Sequence, residues 1–88
     1  MDLSTVLTKS REAAYRIYDG QATVVLPGRS EVHVLNEIGS LIWERIDGER
    51  TVGQILQAVV DAYEIDSDQA HRDTLSFLSS LQESGMVI

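Results

Sequence analysis

The chain has 88 residues, 43% of them hydrophobic, no cysteine, and a formal net charge of −7. That length supports one domain with one core, and the missing cysteine excludes disulfides and thiolate metal sites. The charge is uneven: from Asp61 onward six acids face one base, Arg72, giving −5 and leaving −2 for the first 60 residues, a surface that repels phosphate backbones and anionic lipid.

No apolar run approaches the about 20 residues that a membrane span needs, and the opening MDLSTVLTKSREAAYR lacks the apolar stretch of a signal peptide. With the absence of cysteine, this reads as a soluble, cytoplasmic chain with neither a membrane nor nucleic acid as partner. Residues 1–11 show no period and are expected to form a flexible N-terminal arm ahead of a domain at 12–88.

Asp19-Gly20 is a two-residue hairpin signal, since a type I′ turn needs positive φ at both central positions. The β-forming runs Tyr15 to Tyr18 and Ala22 to Leu26 flank it. Pro27-Gly28 marks a second turn, and Glu31 to Leu35 alternates as a third strand. Asn36 is a good N-cap for a helix through Glu37 to Arg45, with Ile38, Leu41, Ile42 and Ile46 on one face and Trp43 beside them. Gly39, in its first turn, suggests a close passage against the sheet. Asp47-Gly48 stops that helix. Thr51 with Gln54 predicts a capping box for a second helix, whose apolar face is Val52, Ile55, Leu56, Val59, Val60 and Tyr63. Asp66 with Gln69 repeats the device for a third helix running to about Ser84, with a stripe of Ala70, Thr74, Phe77, Leu78 and Leu81. Gly85 ends it, and Met86-Val87-Ile88 reads as a short strand or docked tail. The fold class is α+β: a three-stranded antiparallel meander followed by three helices, resembling a winged helix-turn-helix.

Chemistry is hard to find. His33 and His71 are the only histidines, and with Asp73 they lack the spacing of a metal or acid–base set. No serine sits in a G-x-S-x-G elbow, and the glycines are scattered singly. The expectation is therefore a protein with no catalytic residue, metal or cofactor. In a winged helix the third helix would enter DNA, but DSDQAHRDTLSFLSSLQES holds one arginine among several acids, which disfavours that role.

The run VLNEIGSLIWERIDGERTVGQI, then YEID, then DTLSFLSSLQESGMV, resembles the PqqD family, that of the coenzyme pyrroloquinoline quinone synthesis protein D and more broadly of RiPP recognition elements. The resemblance covers about Tyr15 to Val87. It implies a protein that binds the leader segment of a ribosomally made precursor peptide and presents it to a modifying enzyme. That enzyme would be a radical S-adenosylmethionine enzyme in quinone-cofactor synthesis, or a leader peptidase and a cyclase in lasso-peptide maturation. It also implies that the leader adds as a strand beside the third strand, walled by the third helix. An edge strand with unpaired backbone groups can accept such a guest. The expected peptide-binding residues are Glu31, Val32, His33, Val34 and Leu35 on the strand, with Leu35 packed on the helices. Arg72, Leu75, Ser76 and Ser79 are expected on the third helix, where Leu75 falls outside the stripe as spare apolar surface. Bland readings stay open: Leu75 completing a wider core, Glu31 as an edge gatekeeper, Arg72 paired with Asp68. So do a DNA-binding winged helix and a homodimer formed through the same strand edge.

Overall fold

A computed structural model of the chain describes residues 1–26, 28 and 30–88. Asp19 (φ 54°) and Gly20 (φ 80°) both take the left-handed backbone, closing the hairpin between β1 (Ala14–Tyr18) and β2 (Gln21–Leu26). The second turn, expected at Pro27-Gly28, falls partly on Pro27, outside the described residues. Strand β3 (Glu31–Val34) pairs antiparallel with β2, so the sheet order is β1-β2-β3. Ala22, Val24 and Leu26 point to one side and are buried, as is Leu35 just past β3. Three helices cover that face: α1 (Glu37–Arg45), α2 (Val52–Tyr63) and α3 (Ser67–Glu83).

Each helix starts where its cap lies. The Gly39 N–H donates to Asn36 Oδ1 at 2.8 Å. At α2 the Gln54 N–H donates to Thr51 Oγ1 while the Thr51 N–H donates to Gln54 Oε1, the reciprocal box. At α3 the Gln69 N–H donates to Asp66 Oδ2 at 3.2 Å, forming the cap half of the expected box. Gly48 follows α1 and Gly85 follows α3, both at positive φ, whereas α2 stops on Glu64 in a left-handed conformation (φ 48°) that no glycine announces.

The first eleven residues are not a loose arm, which corrects the expectation. Leu7 is only 2% exposed and belongs to the core. The arm's carbonyls accept from amides that the helix start leaves without partners: Val52 N–H to Thr5 O at 2.8 Å and Gly53 N–H to Leu3 O at 2.9 Å. On its other side the arm meets the C-terminal tail, with Ile88 N–H donating to Thr8 O and Ser10 N–H to Met86 O. Orphan donors at a helix N-terminus set the arm's path. Their partner is nonperiodic sequence far away in the chain, so pattern reading does not see it.

Lys9 locks this seam. Its ammonium donates to the Ile46 carbonyl at 2.7 Å, at the C-terminal end of α1, and sits 5.1 Å from the Trp43 ring centroid and 5.2 Å from that of Tyr15. Burial pushes the Lys9 pKa below its ordinary value, and the nearby Asp47 and Glu44 carboxylates oppose that shift.

Candidate functional site

Hydrogen-bond parity identifies which groups β3 leaves open. The Leu35 N–H donates to the Ala22 carbonyl at 2.8 Å. The return bond runs through a buried hydroxyl: the Ala22 N–H donates to Ser40 Oγ (2.7 Å), and Ser40 donates to the Leu35 carbonyl (3.3 Å). Ala22 and Leu35 are thus a hydrogen-bonded pair. In an antiparallel ladder such pairs alternate with non-bonded ones. The register Val24↔His33 and Leu26↔Glu31 therefore continues the bonded series, while Thr23↔Val34 and Val25↔Val32 are non-bonded pairs. The N–H and C=O groups of Val32 and Val34 consequently face away from β2, toward an edge that no other strand among the described residues covers. The N-terminal arm, which could have capped that edge, pairs instead near Thr51 and Val87.

Side chains alternate accordingly. Val32 and Val34 lie on the outer sheet face, 65% and 67% exposed. Glu31 and His33 lie half-buried on the inner face, and His33 Nε2 is 3.0 Å from Glu31 Oε2. Where β3 runs into α1, the inner face opens into a cleft of about 370 Å³. One wall is Val34, Leu35 and Asn36, continued by Ile38, Gly39 and Ile42 of α1. The opposite wall is Ala70, Asp73, Thr74 and Phe77 of α3, and Val59 and Ile65 close the cleft from α2 and the segment after it. Gly39 is what keeps it open. A Cβ there would stand 3.2 Å from Phe77 Cζ and 3.5 Å from Leu35 Cβ, tighter than or at ordinary contact.

The structure brings the strand half of the expected set to this place and the helix half elsewhere. Leu35 and Val34 line the cleft, and Glu31, Val32 and His33 form the strand leading to it. Leu75 is partly buried against the core, and Arg72, Ser76 and Ser79 are exposed; none of the four lines the cleft. The reason is helical phase. At about 100° per residue, Asp73 and Leu75 flank the buried Thr74 on opposite sides, and it is the Asp73 side that faces β3. The choice between flanks depends on which side of α3 meets the sheet, which a helical wheel does not contain. Ile38, Ile65, Asp73 and Phe77 were legible only as cap-proximal, core or acidic positions. Gly39, an isolated glycine in a first helical turn, was the one local sign of a close approach.

The cleft is mostly apolar, with Asn36, Asp73 and Thr74 as its polar lining residues. Among the described residues Asp73 is its only charged lining residue, and it is exposed. On α1, Glu37 stands between the lining residues Asn36 and Ile38, and the pKa of the Tyr63 hydroxyl is pushed up by burial first and by the Glu37 charge second. Among the described residues no group of three or more His, Asp or Glu side chains is arranged to hold a metal ion, and no helix is long and apolar enough to cross a membrane.

A model of the family described as coenzyme PQQ synthesis protein D (PqqD) matches residues 22–87. The chain also superposes, with a TM-score of 0.84 at 20% identity, on the structure described as TbiB1 in complex with the TbiA(beta) leader peptide, covering 91% of this chain and 93% of that one. With the same TM-score, at 23% identity, it superposes on lasso peptide synthetase B1 complexed with the leader peptide, covering 96% and 99% of the two chains. The strand order, the three helices and the terminal tail are thus a shared fold. No curated protein matches the sequence.

Proposed function

Because this chain belongs to the PqqD family, we propose that it captures the leader segment of a ribosomally made precursor peptide and holds it for a separate modifying enzyme, without catalysing a reaction itself. One observation carries the reading: the open backbone groups of Val32 and Val34 run directly alongside an apolar cleft. A leader strand pairs with that edge, and its inward side chains drop between β3 and α3. Residues 12–88 form the recognition domain, with the docked arm as its brace.

The magnitudes require both parts. Two N–H and two C=O groups allow up to four hydrogen bonds, about 4 kcal/mol net at about 1 kcal/mol each. Micromolar binding needs about 8 kcal/mol, before any additional cost of ordering the peptide. The missing ~4 kcal/mol corresponds to about 160 Å² of apolar surface at 25 cal/mol per Å², roughly one aromatic side chain. The cleft must therefore take at least one large apolar residue. Specificity resides there, since backbone pairing reads no sequence.

That both solved relatives are described with leader peptides, and one as a lasso peptide synthetase component, favours a lasso-type pathway, with a leader peptidase and a cyclase as partner enzymes. The DNA-binding reading loses its physical basis at α3, where Asp68, Asp73 and Glu83 outnumber Arg72. Titration with a synthetic leader, followed by amide NMR, tests the proposal. Shifts are expected at Val32, Val34, Gly39 and Phe77; shifts confined to β1 and the arm would overturn it.

A further inference from the structure

Resting on that reading, we infer that the cleft selects a leader in which a bulky apolar residue and a Lys or Arg lie two positions apart on the same side of the strand, the cation meeting Asp73. The lining is mostly apolar, with Asn36 and Thr74 as its neutral polar members, so the anchor's class follows from burial. The cation follows from what surrounds it. Among the described residues Asp73 is the only acidic or basic side chain lining the cleft, and it forms none of their ion pairs, which are His33–Glu31, Arg45–Glu44 and Arg50–Asp47. Of the two acids next to the lining segments, Glu31 on β3 is engaged with His33, and Glu37 on α1 is near enough to Tyr63 for its charge to raise that hydroxyl's pKa after burial. Arg72 immediately precedes Asp73 on the helix but lies outside the lining. Among the described residues the cleft therefore presents an acidic side with the Asp73 carboxylate in no ion pair, on a chain of charge −7.

The spacing follows from two repeats. Phe77 and Asp73 are four residues, just over one turn, apart on α3, about 6 Å along its axis. Inward-facing residues of an added strand recur every second position, about 6.6 Å apart. An apolar side chain over Phe77 and Gly39 thus places the next inward residue within reach of Asp73, and the long stems of Lys and Arg absorb the mismatch while packing on the apolar wall.

Selection from a display library of random twelve-residue peptides on the folded protein tests this directly. Enriched sequences should carry a large apolar residue with Lys or Arg two positions away. Selection on Asp73→Lys should replace that cation by Asp or Glu, a reversal that a merely structural role for Asp73 does not produce. For one enriched peptide, Asp73→Asn should weaken binding about two- to fivefold, as for an exposed pair, with most of the loss removed by raising the salt concentration. Enrichment of the apolar anchor with no charge preference, on peptides that still shift Val32 and Val34, would overturn the cation and leave strand addition standing. Enriched peptides that lack an apolar anchor and shift no β3 amide would overturn the underlying reading as well.

Discussion

Proline substitution along β3 separates the two jobs its backbone does. At Val32 the N–H faces the open edge, so Val32→Pro deletes a donor used only by a guest strand. At His33 the N–H belongs to the bonded pair with Val24, which is fully buried. Proline is tolerated on a strand whose N–H faces outward and is disruptive inside a ladder. Val32→Pro should therefore leave stability within about 1 kcal/mol, while losing one peptide hydrogen bond of about 1 kcal/mol, at least a fivefold weaker Kd. His33→Pro should cost about 2–3 kcal/mol of stability, because it strands the buried Val24 carbonyl. Val32→Ala keeps the amide and should bind within about twofold of the parent, since its side chain lies on the outer face. Urea unfolding gives the stabilities and calorimetric titration with the cognate leader gives the affinities. Equal destabilisation by the two prolines, or unimpaired binding by Val32→Pro, refutes the parity assignment and with it the strand-addition geometry.

Gly39→Ala should narrow the cleft against Phe77 while gaining helix propensity, so stability stays within about 1 kcal/mol. Peptide affinity should fall about tenfold, the ~1.4 kcal/mol equivalent of some 55 Å² of lost apolar contact; titration of the variant shows whether the glycine holds the space open. Leu7→Ala should destabilise the fold by about 2–5 kcal/mol in urea unfolding, as for other buried leucines, and a change below 1 kcal/mol would mean that the arm is not part of the core. Asp47 is held below its ordinary pKa chiefly by the Arg50 and Glu49 N–H groups, with Arg50 Nη1 2.8 Å away. Its contribution to the α1–α2 turn is present above the ordinary carboxylate range and is lost as pH falls through the depressed folded value. The Glu49 and Arg50 amide shifts should report a midpoint below 3.8, and a midpoint at or above that value contradicts the cap.

Much of the architecture was local and therefore readable in the chain itself. Asp19-Gly20 demands its turn, Asn36, Thr51 and Asp66 demand helix starts, and Gly48 and Gly85 demand stops. Each of these acts through bonds spanning a few residues. The alternation through Glu31 to Leu35 likewise separated the two sides of β3, because a strand's period is two residues whatever it packs on, while the PqqD resemblance pointed to the Leu35 side as the inner one. Three decisions belonged to the folded chain alone. The arm docks because amides at the start of α2, 47 and 50 residues from their acceptors Thr5 and Leu3, have no partner within the helix. The bond parity that leaves Val32 and Val34 open depends on the register with β2, and on Ser40 completing the Ala22–Leu35 pair from α1. And α3 turns Asp73 and Phe77, rather than Arg72 and Leu75, toward β3, because rotation of a helix about its axis is settled by the whole core packing against it.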